Sequence, residues 1–181
     1  MTLVVFGGLP GTGKTTLSAM LARRLRATYL RVDAFEAALL ETGLVATQHE
    51  IGPAGYVLAN RVAGNCLREG LDVVVDAVNP VEVARDGWRS LAAETVSALT
   101  FVEVTCSDPR VHRGRIEGRV ADLPGWLVPD WASVSTHPYE PWQGERLVVD
   151  NVGDPATLVA VIETALGQHP PKESPAGRTR E

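Results

Sequence analysis

Short apolar runs alternate with amphipathic segments along most of the chain. The first run, residues 3–6, is apolar and β-branched, which predicts a buried strand. Apolar side chains then recur at helical spacing as far as Leu25, which predicts a helix. Four further strands are predicted at residues 29–32, 71–75, 100–105 and 146–149.

Helical patterns fill the intervals between these runs. They are predicted at residues 34–40, 52–69, 81–97, 108–119 and 154–166. The last two begin with Asp-Pro pairs, Asp108-Pro109 and Asp154-Pro155, in which aspartate caps the helix and proline suits its first turn. Strands alternating with helices predict an α/β domain over residues 1–166, with a parallel sheet covered by helices on both faces.

Two segments lack a clear period. Residues 122–142 are rich in proline and tryptophan and are predicted to be a long irregular loop. Residues 167–181 are polar and proline-rich, so we expect a disordered C-terminal tail.

The segment Gly8–Thr15 fits the phosphate-loop pattern G-x-x-x-x-G-K-[ST] and lies between the first strand and the first helix, as this motif requires. In such a loop, backbone amides and a helix N-terminus bind phosphate oxygens. The lysine reaches the β- and γ-phosphates, and the Thr15 hydroxyl is a ligand of Mg²⁺. The predicted nucleotide contacts in this loop are Gly8, Gly11, Thr12, Gly13, Lys14, Thr15 and Thr16.

The bulk composition narrows the classes of protein. With 181 residues and a net charge of −5, the chain gives no overall electrostatic argument for nucleic acid or membrane binding. Cys66 and Cys106 lack metal-ligand spacing, so we expect free thiols in a reducing compartment, with a disulfide as the alternative. The apolar N-terminus enters the first strand at once, without a signal sequence, and this favours a cytoplasmic protein.

Two aspartates follow predicted strands. Ligands of such sheets bind beyond the carboxyl ends of the strands, so Asp33 and Asp76 are expected to face the phosphate loop. Phosphoryl transfer needs a group that orients the acceptor hydroxyl and accepts its proton, a role that suits Asp33. Asp76 resembles a Walker-B aspartate and is predicted to hold Mg²⁺ together with Thr15. The alternative for Asp33 is a helix N-cap.

Four arginines lie between residues 110 and 119. Arg115 and Arg119 are four residues apart, hence on one helix face, and are predicted to stabilise the charge of the transferred phosphoryl group. A solvated, ion-paired face is the alternative. Gly114 and Gly118 weaken a helix, which favours a mobile, arginine-bearing lid.

Aromatic side chains concentrate in the irregular loop, which contains Trp126, Trp131, Tyr139 and Trp142. These rings can stack on a base or cover a ring-bearing substrate, or they can pin the loop to the sheet. Asn79 is equally open, as a substrate contact or a turn residue.

With these residues placed, the chain resembles the small P-loop kinases often described as AAA-family ATPases. This group is related to chloramphenicol phosphotransferase, gluconate kinase, zeta toxins and the kinase domain of polynucleotide kinase. The phosphate loop, Asp33, Asp76 and residues 115–119 carry the resemblance, which covers residues 1–166. It implies a P-loop NTPase fold whose five parallel strands have the order 2-3-1-4-5, and an adenine site between residues 110–119 and the loop after Asp150.

The resemblance also implies a function. We expect an ATP- and Mg²⁺-dependent phosphotransferase acting on a hydroxyl of a small molecule, in which Lys14, Asp33, Arg115 and Arg119 are catalytic and Arg115 also contacts the nucleotide. A monomer or homodimer is expected, without nucleic acid or membrane partners. The alternatives are a polynucleotide 5′-hydroxyl kinase, and a nucleotide-dependent switch without an acceptor.

Overall fold

The predicted strands form one parallel sheet in the computed structural model, which describes residues 1–167. The strands are β1 (Thr2–Gly7), β2 (Thr28–Arg31), β3 (Val73–Asp76), β4 (Ala98–Thr105) and β5 (Leu147–Asp150). They pair in the order β2-β3-β1-β4-β5, and every pairing is parallel. The predicted sheet order and the P-loop NTPase class are therefore confirmed.

Helices cover both faces of the sheet. They are α1 (Lys14–Leu25), α2 (Val32–Glu41), α3 (Gln48–Ile51), α4 (Ala54–Arg68), α5 (Glu82–Thr95), α6 (Pro109–Glu117), α7 (Trp131–Ser135) and α8 (Pro155–Gly167). Alternate residues of β1 supply the two cores, since Leu3 and Val5 pack with α4 and α5, and Val4 and Phe6 pack with α1 and α8. The strands are thus buried on both sides, which explains their continuous apolar runs.

The capping aspartates behave as the sequence predicts. The Asp108 carboxylate accepts a hydrogen bond from the Arg110 amide at 2.8 Å at the start of α6. The Asp154 carboxylate accepts one from the Thr157 amide at 2.9 Å at the start of α8. Because α6 follows β4 and α8 follows β5, both helices begin at the carboxyl-end edge of the sheet, beside the phosphate loop.

Three local predictions are wrong. Helix α2 begins at Val32, with Arg31 as its N-cap residue, so Asp33 lies in the first helical turn and is not a cap. Helix α6 ends at Glu117 and is capped by Gly118, so Arg119 lies beyond the helix and shares no helical face with Arg115.

The third concerns the irregular loop, which contains the short helix α7. Asp130 starts this helix by accepting hydrogen bonds from the Ser133 amide at 2.8 Å and from the Ser133 hydroxyl at 2.6 Å. Five residues give too few apolar positions to reveal a helical period, and so the sequence pattern missed it.

The end of the Trp-rich segment packs onto the sheet. The Trp142 ring is 9% exposed and meets the Phe101 ring edge-on, with 5.3 Å between the centroids. A Cβ on Gly7 would lie 2.5 Å from Trp142, so the close approach requires glycine at the end of β1. The Trp142 indole nitrogen donates to the Tyr139 hydroxyl at 2.7 Å. For Trp142, packing is therefore the correct interpretation.

Asn79 also has a structural role. It is fully buried, has a φ of 52°, and donates from its side-chain nitrogen to the Phe6 carbonyl at 2.9 Å. Cys66 and Cys106 are both free thiols. Within residues 1–167, no helix has the length and apolar character needed to cross a bilayer. Apart from Gly167, which ends α8, the predicted tail lies outside the described residues.

Candidate active site

The phosphate loop connects β1 to α1 in a conformation that its glycines permit. Gly8 and Gly13 have φ values of 140° and 88°. A Cβ on Gly8 would lie 2.3 Å from the Val104 carbonyl oxygen, and one on Gly13 would lie 2.1 Å from the Asn151 amide nitrogen. The loop backbone therefore lies directly against its neighbours, as a phosphate-binding loop needs.

A cleft of about 530 Å³ opens at this loop. Gly11, Gly13 and residues 14–16 line it, together with arginines from three other segments. Lys14 is 6% exposed and lies in the first turn of α1, where the helix N-terminus favours an anion. Five of the seven predicted loop contacts thus line one cavity.

Gly8 and Thr12 support the loop from behind. The Gly8 amide donates to the Val78 carbonyl at 3.1 Å. The Thr12 hydroxyl donates to the Leu9 carbonyl at 2.9 Å, and its own carbonyl accepts from the Asn151 side-chain nitrogen at 2.8 Å. Their predicted contact with nucleotide remains a prediction.

Asp76 lies beside the loop at the end of β3. It is 2% exposed, and its Oδ2 accepts a hydrogen bond from the Tyr29 hydroxyl at 2.9 Å. Its Oδ1 is buried and has no partner among the described residues. Burial raises the pKa of Asp76, although the charge of Lys14 and the nearby Thr15 side chain lower it in part. An unpartnered carboxylate oxygen next to a hydroxyl and a lysine fits the oxygen ligands of Mg²⁺.

Asp33 lies at the same edge of the sheet. The Arg31 guanidinium contacts its Oδ2 at 3.4 Å, and its side chain is 18% exposed. Burial and the charge of Asp33 raise the pKa of Glu36, one turn further along α2, to about 7. The charge of Asp33 also contributes to the raised pKa of Asp76. The charges of the two strand-end aspartates thus influence each other, while the predicted position of Asp33 facing the phosphate loop remains a prediction.

The four arginines of residues 110–119 divide into two pairs. Arg115 and Arg119 line the cleft. Arg110 and Arg113 are 96% and 58% exposed, and Arg113 pairs with Glu117 at 2.7 Å. The cluster is therefore half a cleft wall and half a solvated face.

The two cleft arginines differ in their contacts. The Arg115 guanidinium donates to the Asn151 carbonyl at 2.8 Å and to the Thr12 carbonyl at 3.4 Å. Arg119 approaches the Asp122 carboxylate at 3.9 Å. Arg115 thereby joins the loop after β5 to the phosphate loop, whereas Arg119 has a weaker contact and is freer to reach an anion.

Sequence reasoning missed several residues of this cleft. The Arg31 guanidinium pairs with the Asp122 carboxylate at 2.5 Å and also lines the cleft. The His112 imidazole contacts the Pro10 carbonyl at 2.7 Å and meets the Trp131 ring edge-on. Arg31 and Asn151 could have been found, because each lies at the carboxyl end of a strand beside a predicted site. The roles of Asp122 and His112 depend on tertiary contacts.

Comparison with known proteins agrees with this architecture. The AAA_33 family, described as an AAA domain, matches residues 3–124. The adenylyl-sulfate kinase of Synechococcus sp. (strain JA-2-3B'a(2-13)) is 30% identical over 156 residues, which cover 80% of this chain and 82% of that protein.

Solved kinases share the fold. A gluconokinase from Sinorhizobium meliloti 1021 has a TM-score of 0.64 at 21% identity, covering 92% of both chains. The APS kinase of Mycobacterium tuberculosis, in complex with AMPPNP and APS, has a TM-score of 0.66 at 18% identity, covering 92% of this chain and 97% of that one. The chain therefore belongs to the AAA_33 family, and its fold and relatives are those of the small P-loop kinases.

Proposed function

We propose that the protein is a phosphotransferase that moves the γ-phosphoryl group of ATP to a hydroxyl of a small molecule, with Mg²⁺. One observation carries the proposal: two aspartates lie at the same edge of the sheet, near enough for the charge of Asp33 to raise the pKa of Asp76, which itself lies beside Lys14 and Thr15. Asp76 has an unpartnered oxygen next to Thr15, and Asp33 stands nearby on α2. A second carboxylate can orient an acceptor hydroxyl and take its proton, which a nucleotide-binding module without an acceptor does not require.

The nucleotide would bind along the cleft. Lys14 and the amides at the start of α1 would hold the β- and γ-phosphates. Arg115 and Asn151 would border the adenine between α6 and the loop after β5, which leaves Arg119 to neutralise charge on the transferred group. Thr15 and Asp76 would hold Mg²⁺, which neutralises negative charge on the phosphates when it is bound.

Asp33 would act on the acceptor. Its carboxylate would orient the acceptor hydroxyl and take its proton as the oxygen attacks the γ-phosphorus. The bond between that phosphorus and the oxygen bridging to the β-phosphate breaks, and ADP leaves. The oxygen and phosphorus that join are thus held by different elements, α2 and the phosphate loop.

A small acceptor is favoured over a nucleic acid end. A polynucleotide needs a run of free cations along its backbone. In the part of the chain described here, Arg31, Arg113 and Arg119 all approach carboxylates, and the net charge is −5. The relatives named above are kinases of adenylyl sulfate and gluconate, both small molecules. We infer a cytoplasmic enzyme that acts as a monomer or homodimer, with the lid and the Trp/Pro-rich loop within residues 110–142.

The test is transfer of γ-labelled phosphate from Mg²⁺·ATP into pooled acceptors. The pools are sugars, nucleosides and nucleotides, hydroxylated antibiotics, and 5′-hydroxyl oligonucleotides. We expect label in one small-molecule pool, its loss in Lys14→Ala, and a large but measurable decrease in Asp33→Asn. Asp86→Asn, which changes an exposed carboxylate on α5, is the matched control and should transfer normally.

Other results would contradict the proposal. Label in the oligonucleotide pool would replace it with the polynucleotide kinase alternative. Slow release of free phosphate, unchanged by every pool and by Asp33→Asn, would favour a nucleotide-dependent switch.

A further inference from the structure

Arg31 ends β2 and is the residue through which Asp33 contacts the segment that follows α6. Its side chain is 10% exposed. Both terminal nitrogens donate to the Asp122 carboxylate, at 2.5 and 3.2 Å, and Nη2 also reaches Asp33 Oδ2 at 3.4 Å. Its Nε is buried without a partner among the described residues. The guanidinium is therefore held by two carboxylates from different parts of the chain.

Arg31 is a neighbour of both aspartates of the proposed site, the acceptor-orienting Asp33 and the Mg²⁺-binding Asp76. It pairs in register with Asp76 across the β2–β3 ladder, and Asp33 is two residues further along the chain. Burial opposes the charge of Arg31, but the hydrogen bond to Asp122 and the charges of Asp33, Asp122 and Asp76 raise its pKa. A permanent cation thus lies next to both Asp33, which is proposed to bind the acceptor, and Asp76, which lies beside the phosphate loop.

The other arginines of the cleft cannot replace it. Arg115 donates to the backbone carbonyls of Thr12 and Asn151, remote in sequence from α2. Arg119 approaches Asp122 Oδ1 at 3.9 Å, and within residues 1–167 it forms no ion pair with Asp33. Among the described residues, Arg31 is the cation that pairs with Asp33 and with Asp122 at once.

We propose that Arg31 is a positioning residue for Asp33. It holds Oδ2 so that the other carboxylate oxygen faces the acceptor hydroxyl, and Asp122 holds Arg31, which couples the segment after α6 to the orientation of Asp33. The role rests on the proposed function, because only phosphoryl transfer gives Asp33 a proton to accept.

The expected effect follows from the demands of alignment. A misplacement of about 1 Å at a reacting group can slow a reaction about 100-fold. Arg31→Gln keeps a polar side chain but loses the charge and the fork, so we expect kcat to fall at least tenfold. Affinity for the non-hydrolysable analogue AMPPNP with Mg²⁺ should stay within about twofold, since Lys14 and the loop amides bind the phosphates.

The first experiment is a double-mutant cycle on turnover. Transfer is measured for Arg31→Gln, Asp33→Asn and the double variant, with the acceptor pool that takes label from the unaltered protein. The double variant should be no slower than Asp33→Asn alone, because Arg31 acts through Asp33. Arg113→Gln, which removes an exposed arginine paired with Glu117, is the control and should leave kcat unchanged.

Several outcomes would overturn the positioning role. Losses that multiply in the double variant would mean that Arg31 acts independently of Asp33. Loss of AMPPNP binding in Arg31→Gln would make it a phosphate ligand instead. If Arg31→Gln does not fold, Asp122→Asn replaces it in the cycle. Asp122→Asn should lower kcat about threefold when it is the only substitution, and should not lower it further in a protein that already carries Asp33→Asn. Any other pattern of kcat values counts against the positioning role.

A second experiment needs no acceptor. Hydrogen exchange of residues 118–126 reports on the segment that contains Asp122. Asp33→Asn should change this exchange when Arg31 is present and leave it unchanged beside Arg31→Gln or Arg31→Lys. Equal effects in both backgrounds would overturn the coupling. Absence of transfer to every pool would instead count against the proposed function, while the exchange result would still decide the coupling.

Discussion

The fully buried Arg85 and the partly buried Arg31 show how differently the same side chain is used in two regions. Arg85 is fully buried on α5, and its guanidinium lies 4.2 Å from the centroid of the Trp142 ring. All three of its nitrogens have partners: the carbonyls of Asn79, Pro80, Glu140 and Pro141, and the Glu82 carboxylate. It joins the end of the Trp-rich segment to the sheet.

Arg31 lies in surroundings that are less complete. Its partners are two carboxylates, and its Nε has none among residues 1–167. Its neighbour Asp76 likewise has a buried oxygen without a partner there. Buried polar groups are normally paired, so unpaired ones in one place indicate a ligand site. The region around Arg85 maintains the fold, and the region around Arg31 has the unpaired polar groups expected of the proposed ligand site.

The largest expected effect is on the Arg85 side. Arg85→Met should lower the free energy of unfolding by about 3–5 kcal/mol, because several buried carbonyls and Glu82 lose their donor. For a domain of this size the melting temperature should fall by on the order of 10 °C. Thermal unfolding followed by circular dichroism measures it, with the exposed Arg113→Met as control, expected within about 1 kcal/mol of the unaltered protein.

A small loss of free energy of unfolding in Arg85→Met would contradict the structural role given to Arg85. It would mean that the buried pairs around Arg85 contribute no more than surface pairs, and that the Trp-rich segment is held mainly by the ring of Trp142. Affinity for AMPPNP, measured below the melting temperature, should be unchanged, since Arg85 touches none of the residues of the cleft.

On the cleft side, a substitution should raise stability. Asp76→Asn removes a buried charge, so we expect the ligand-free protein to gain about 1–3 kcal/mol in free energy of unfolding. Turnover should fall about 100-fold, because one of the two groups proposed to hold Mg²⁺ is lost. Urea unfolding without nucleotide measures the first effect, and transfer over a range of Mg²⁺ concentrations measures the second. A loss of stability would place Asp76 with Arg85, as a group that maintains the fold.

The sheet and the phosphate loop were predictable because their signals are local. An apolar run such as Leu3–Phe6 can be read within a few residues, and Gly8–Thr15 combines a rare pattern with its strand and helix. Asp33 and Asp76 were predictable because parallel strands end at one edge. Their strand order, by contrast, came from family resemblance.

The pairings that distinguish the two arginines were not predictable. Arg31 and its partner Asp122 are 91 residues apart in the sequence, and Arg85 and its partner Glu140 are 55 residues apart. Nothing in the local pattern distinguishes Arg85 from arginines that face solvent. For Arg31 the sequence shows its place at the end of a strand but not its pairing with Asp122, because that pairing depends on tertiary packing. The N-cap interpretation of Asp33 failed for the same reason, since β2 passes into α2 with Arg31 as the capping residue.

A smaller effect tests whether Trp142 belongs with Arg85. Gly7→Ala would place a methyl group 2.5 Å from the Trp142 ring, which the Phe101 and Arg85 contacts hold in place. Overpacking of this kind should cost about 1–3 kcal/mol in free energy of unfolding. In a Trp142→Leu background the same substitution should cost less than half as much, as urea unfolding of the four proteins in the cycle would measure. Equal costs in both backgrounds would mean that the ring moves aside, and so that Trp142 is not a fixed part of the core.

The smallest effect concerns Glu36 on α2. Like Arg31 and Asp76, it is an ionisable group whose surroundings do not fully compensate its charge. Burial and Asp33 raise its pKa from 4.5 to about 7, so the folded protein binds this proton more tightly than the unfolded chain does. Stability contributed by the protonated carboxyl is therefore complete below pH 4.5 and is lost as the pH rises through about 7. The glutamine of Glu36→Gln cannot ionise. This variant should therefore be more stable than the unaltered protein at pH 8 by on the order of 1 kcal/mol, with little difference at pH 4.5. The gain in stability is small because water still reaches the carboxyl group of Glu36. Urea unfolding at the two pH values measures this, with the exposed Glu117→Gln as the flat control. Equal stability of Glu36→Gln and the unaltered protein at both pH values would mean that the surroundings of Glu36 do not destabilise its charge. The region of incompletely compensated polar groups would then comprise Arg31 and Asp76 without Glu36.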